Sequence, residues 1–149
     1  MSSEPISPGV RRRVLQRAGG CCEYCFCQRR FSPAPFSIEH VVPRSKGGSS
    51  EAANLALSCQ GCNNYKFTHI TAIDPVSMDE VPLFNPRTDI WSDHFSWAEN
   101  FSELVGLSAR GRGTISLLRL NRPQVVALRR ILVAAQLHPP AYPFSRLNP

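Results

Sequence analysis

The 149-residue sequence predicts a small α+β fold: a zinc-stapled core with an N-terminal helix and a helical C-terminal extension. Three observations predict it. Two Cys-x-x-Cys pairs, Cys22/Cys25 and Cys59/Cys62, flank a short apolar stretch. Phe36-Ser37-Ile38 alternates apolar and polar side chains, the period of a half-buried strand. Val125, Leu128, Leu132 and Val133 approximate the stripe of an amphipathic helix. The chain divides accordingly into a core over residues 1–70 and an extension over 71–149 that packs on it.

The elements follow in order. Residues 1–7 read as a loose tail. A helix is expected over 10–18, with Val10, Val14 and Leu15 on one face, and Gly19-Gly20 ends it as a C-terminal glycine should. After the first cysteine pair, residues 28–35 form a turn-rich connection holding two prolines. The strand opened by Phe36 ends at Glu39-His40, or extends through Val41-Val42 until Pro43 intervenes. A polar loop, 44–50, contains Gly47-Gly48. Residues 54–58 lead into the second cysteine pair, and 62–67 form the first turns of a helix.

In the extension, residues 71–90 read as loop, with Pro75, Pro82 and Pro86. Residues 91–97, with aromatics at 91, 95 and 97, read as a strand. Two helices are expected over 114–120 and 123–137. Asn121 is placed as the N-cap of the second, with Pro123 in its first turn. Arg129 and Arg130 fall off the apolar stripe, on a solvated face. Pro139, Pro140 and Pro143 terminate the element.

Composition narrows the function classes. At 42% hydrophobic and 19% charged residues the chain is globular, and no apolar run approaches the roughly 18 residues of a membrane span. The N-terminus lacks the apolar core of a secretory signal, so the expectation is a soluble, cytoplasmic protein. Net charge is +6, unevenly spread. Basic first and last thirds flank an acidic middle, and basic surface suits a polyanionic partner, most often nucleic acid.

All six cysteines lie in the first 62 residues. A disulfide framework would staple a small secreted protein throughout its length. One Cys-x-x-Cys could be a redox pair. Two, the second containing Gly61 for a tight turn, favour the closed tetrahedral Zn²⁺ site of four thiolates. Cys22 and Cys25 are preferred over Cys21 and Cys27 because only they have Cys-x-x-Cys spacing.

Between and after the cysteine pairs stand polar residues that zinc does not need: Glu39, His40, Asn54 and Asn63. Phosphodiester hydrolysis requires an activated water and a cation on the phosphate. A neutral His accepts the water's proton near pH 7. A carboxylate and an amide oxygen suit a hard cation such as Mg²⁺ or Mn²⁺. Adjacent strand residues point to opposite faces, so Glu39 and His40 share a site only if the strand end bends.

In the stretches CCEYC, IEHVVPRSKGG and NLALSCQGCNNYK the sequence resembles the HNH endonuclease family, over about residues 10–68. The resemblance implies a ββα-metal core. It implies His40 as the general base, Asn54 as the residue orienting it, and Glu39 and Asn63 as ligands of a catalytic divalent cation. It implies Cys22, Cys25, Cys59 and Cys62 as the structural zinc site, and Arg44, Lys46 and Lys66 as candidates for DNA phosphate contact. Two departures stand out. Glu39 replaces the commoner Asp, and Asn63 stands where the motif's name has His, making an H-N-N variant. The implied function is metal-dependent hydrolysis of DNA. The alternatives are a zinc-stabilised nucleic-acid-binding module without catalysis and a small protein-interaction zinc domain.

Overall fold

The computed structural model describes residues 5–141. Part of the tail expected over 1–7, and Pro143, lie outside the described residues. Helix α1 spans Pro8–Ala18. Ser7 caps it, its Oγ accepting from Val10 N at 3.2 Å, and Pro8 brings its preset φ to the first turn, so the helix begins two residues before the apolar pattern does. Gly19, at φ 60°, closes it in the left-handed conformation. Val14 and Ala18 pack on Leu55 and Leu57 in a small apolar cluster.

Strand β1 (Ser37–His40) pairs antiparallel with β2 (Leu55–Ser58), with Glu39 opposite Ala56 and His40 opposite Leu55. Helix α2 (Gln60–Lys66) follows directly, and Cys59 caps it through its sulphur. The result is the expected ββα unit, with both cysteine pairs at one end.

The extension differs in detail from its sequence pattern. Residues 71–90 are not all loop: β3 (Thr71–Ile73) and β4 (Glu80–Pro82) form a hairpin. Asp74 organises its turn, accepting from the backbone N–H groups of Val76 and Ser77. Residues 91–97 begin as one helical turn, α3 (Trp91–His94), before strand β5 (Phe95–Trp97) pairs with β6 (Leu104–Gly106).

Helix α4 spans Ala109–Leu118, five residues longer at its start than the apolar pattern indicates. Gly111 and Gly113 hid that first turn, since each costs about 1 kcal/mol against alanine in a helix. The structure gives a reason for Gly111: a Cβ there would lie 2.1 Å from the carbonyl oxygen of His94. Ser108 caps α4, accepting from Gly111 N at 3.0 Å.

Helix α5 spans Pro123–Ala134 and is capped at Arg122, not Asn121. Asn121 instead clamps β6, accepting from Leu104 N at 2.7 Å and donating to Leu104 O at 2.9 Å. Arg129 is not solvated; it is 3% exposed. One apolar core joins the two halves of the chain, running from Tyr24 and Phe26 through Phe84, Trp91 and Phe95 to Leu118, Leu120 and Val125.

Candidate functional site

The four sulphurs of Cys22, Cys25, Cys59 and Cys62 lie within 4.8 Å of one another, and all four residues are buried. That is the spacing of a closed tetrathiolate zinc site. Cys21 and Cys27 stand outside the cluster. Hydrogen bonds from Cys22, Cys25 and Cys62 hold the Cys59 thiol well below its ordinary range, while burial pushes Cys22 up. A second observation fits a metal here: two half-buried or buried guanidinium groups, Arg122 and Arg129, crowd the cluster, and no carboxylate pairs with either among the described residues.

The cysteine-pair residues themselves tie the zinc end to the strands. Glu23 accepts from Leu57 N at 2.9 Å and pairs with Arg87. The Tyr24 hydroxyl donates to Glu39. Glu39 thus faces inward from β1, 6% exposed, and its second oxygen lies 3.1 Å from Lys66 Nζ. Burial raises the Glu39 carboxyl, with Lys66 and Tyr24 opposing the rise.

Lys66 is 1% exposed. Its ammonium donates to Val41 O at 2.9 Å and His40 O at 3.2 Å besides pairing with Glu39. An ammonium has three N–H donors, and all three have partners inside the protein. The ammonium of Lys66, expected to contact phosphate, is thus fully engaged inside the protein, whereas Arg44 and Lys46 are exposed.

His40 alternates to the opposite side and is half-buried at the end of β1. It lines an open cleft of about 370 Å³ together with Glu39, Arg44, Ser45, Asn63 and Phe67. His40 Nε2 lies 2.9 Å from Ser50 Oγ, and Arg44 Nη1 donates to the same oxygen at 2.7 Å. A hydroxyl oxygen has two acceptor lone pairs and one proton, so Ser50 can accept from Arg44 and still either accept from or donate to His40 Nε2. Nε2 is the ring nitrogen held by Ser50, and Nδ1 has no hydrogen-bond partner among the described residues. Burial, followed by Arg44 and Lys66, lowers the imidazole's affinity for a second proton. The neutral form is the one a general base needs.

Asn63 projects from α2 into the same cleft, and its side-chain amide makes no hydrogen bond among the described residues. Asn54 sits elsewhere. Its amide accepts from Val42 N at 2.9 Å and donates to Val42 O at 3.0 Å and Ser49 O at 2.8 Å. It pins the loop that carries Arg44 and Ser50 and does not bond the imidazole. Ser50, Tyr24 and Arg122 have no counterpart in the sequence reading. Tyr24 alone left a signal, a polar tip inside a cysteine pair. Among the other histidines, His94 bonds the α4 cap, its Nδ1 2.6 Å from Ser108 Oγ. His138 is buried against Phe101 O, and burial with Arg129 nearby brings it down to about 4.

Residues 22–68, which hold the ββα unit and both cysteine pairs, match the family model described as HNH endonuclease. The chain is similar to the Septu protein PtuB of Bacillus thuringiensis, 26% identical over 131 residues. That match takes in 87% of this chain and 48% of the relative, so the chain spans about half the length of the curated protein it matches. No solved structure matches. No helix among the described residues is long and apolar enough to cross a membrane.

Proposed function

We propose that the chain is a metal-dependent endonuclease that hydrolyses DNA phosphodiester bonds. One observation carries the reading: within a stretch matching HNH endonucleases, a neutral imidazole, an uncommitted amide and an exposed guanidinium converge on one open cleft. His40, oriented by Ser50 at Nε2, takes the proton of the attacking water through Nδ1. Arg44 and Lys46 bind the phosphate backbone in a salt-dependent way. Asn54 and Lys66 keep the strand end and its loop in place.

Glu39 and Asn63 offer carboxylate and amide oxygens, the donor types a hard cation takes. Asn63 is ready to ligate, whereas Glu39 must do so with lone pairs that Tyr24 and Lys66 leave. A Mg²⁺ or Mn²⁺ ion held there supplies positive charge to the phosphate as negative charge develops.

The engagement of Glu39 by Lys66 and Tyr24 favours a second reading, a zinc-stabilised nucleic-acid-binding module without catalysis. A nicking assay on supercoiled DNA across divalent metals separates the two. Cleavage that disappears in His40→Ala while DNA binding persists supports the nuclease. Salt-dependent binding with no cleavage under any metal supports the module.

A further inference from the structure

Arg122 and Arg129 share an unusual circumstance. Arg122 stands at the start of α5 with its guanidinium against the sulphurs, Nη2 3.4 Å from Cys59 Sγ and Nη1 3.6 Å from Cys62 Sγ. Arg129, about two turns further along the same face of α5, donates Nη2 to Cys25 O at 2.9 Å and Nη1 to Ser102 O at 3.1 Å. Removing a guanidinium from water without a counter-charge is costly. Three other arginines of the extension have carboxylates, Arg87 with Glu23, Arg110 with Asp89 and Arg112 with Asp74. Arg122 and Arg129 have none among the described residues; Arg122 faces the Cys59 and Cys62 sulphurs, and Arg129 holds the backbone carbonyl of the ligand Cys25 with its guanidinium 5.2 Å from the Trp97 ring.

The charge of the metal centre matches. Four thiolates around one Zn²⁺ carry two negative charges, and two guanidinium groups carry two positive ones. The local packing is shaped for the contact. Gly61 sits inside helix α2, not in a turn needing a glycine conformation, and a Cβ there would lie 2.6 Å from Arg122 Nη2. With no methyl at Gly61, the guanidinium lies beside the second cysteine pair without having to shift.

We infer that Arg122 and Arg129 are the counter-charge of the zinc tetrathiolate and hold the metal in place, so that the C-terminal helices are part of the metal centre. The inference rests on the zinc reading of the cysteine cluster. Both are positioning residues: they donate to the ligands or their backbone, fix the thiolate orientation, and neutralise charge that would otherwise favour release of a ligand to a proton.

The test is zinc release from the full chain into excess chelator, followed with a chromogenic indicator. Arg122→Gln keeps polar contact with the carbonyls of Leu118 and Arg119 but loses the charge; Arg122→Lys keeps the charge. The expected result is release about 10–100-fold faster for Arg122→Gln and within about threefold of wild type for Arg122→Lys. Arg119→Gln removes a neighbouring charge that lies over the Tyr65 ring, away from sulphur, and should leave release unchanged. With Co²⁺ in place of zinc, Arg122→Gln should also shift the thiolate-to-cobalt charge-transfer band, which a purely structural role would not move. Arg129→Gln should act in the same direction; if that buried substitution prevents folding, the Arg122 pair decides. Equal release from Arg122→Gln and wild type, or equal acceleration by Gln and Lys, overturns the inference and leaves the zinc site standing. Wild-type protein purified without zinc overturns both.

Discussion

Lys66 Nζ lies 3.1 Å from Glu39 Oε2, both side chains buried beneath the strand end that presents His40. The ammonium also holds the carbonyls of His40 and Val41, so one side chain links α2, the acid and the backbone of the candidate base. Lys66→Met leaves the Glu39 carboxylate buried with Tyr24 as its remaining partner. Breaking a buried pair on one side costs about 3–5 kcal/mol. Urea unfolding at pH 7 should show that loss for Lys66→Met, and Lys66→Met combined with Glu39→Gln should recover a large part of it.

Asn54→Ala removes three hydrogen bonds that pin the 42–49 loop. With the part-buried N–H and C=O of Val42 left unpaired, the expected cost is about 1 kcal/mol. Thermal unfolding measures it, and nicking by the variant should fall because Arg44 and Ser50 ride on that loop. A variant with unchanged stability would show that the loop is held by other contacts.

The chain's +6 charge is not a free basic surface. Arg110, Arg112, Arg122 and Arg129 are all engaged within the fold. DNA affinity should therefore fall for Arg44→Ala and Lys46→Ala, with the salt slope reduced by about 1 for each. Arg112→Ala should lower stability and leave the salt slope as it is. Fluorescence anisotropy across salt concentrations distinguishes the two groups.

The pattern of success and failure in the sequence follows from the range of each interaction. The cysteine pairs, Glu39-His40 and the short strand were legible because residue type and spacing within a few positions define them. The helical start at Ala109 was hidden by Gly111, whose reason is the His94 carbonyl from another element. Local spacing suits Asn121 as a cap, yet its amide serves β6, seventeen residues earlier. Arg129 looked solvated by periodicity and is buried by charge, on the carbonyl of Cys25. Ser50 reaches His40 across a loop that has no period at all. Contacts across such distances leave no local imprint.

His40 is held below the ordinary imidazole range by burial, then by Arg44 and Lys66. The sign follows: the neutral, active form persists below pH 6.5 and is lost only as pH falls through the lower folded value. The acid limb of the cleavage rate should accordingly lie below pH 6.5, and Arg44→Ala should move it upward by removing a nearby positive charge. Ser50→Ala removes one hydrogen bond, worth about 1 kcal/mol, and should slow nicking by about fivefold with the fold intact.

The central claim is that His40 is a general base in a metal-dependent nuclease. Its most direct test is the rate of supercoiled-plasmid nicking by the zinc-loaded full chain with Mg²⁺ or Mn²⁺, wild type beside His40→Ala. Loss of a general base predicts a fall of about 10²–10⁴-fold with DNA binding and thermal unfolding unchanged. Nicking by His40→Ala at the wild-type rate, or wild-type protein that binds DNA and never cuts it under any divalent metal, contradicts the claim.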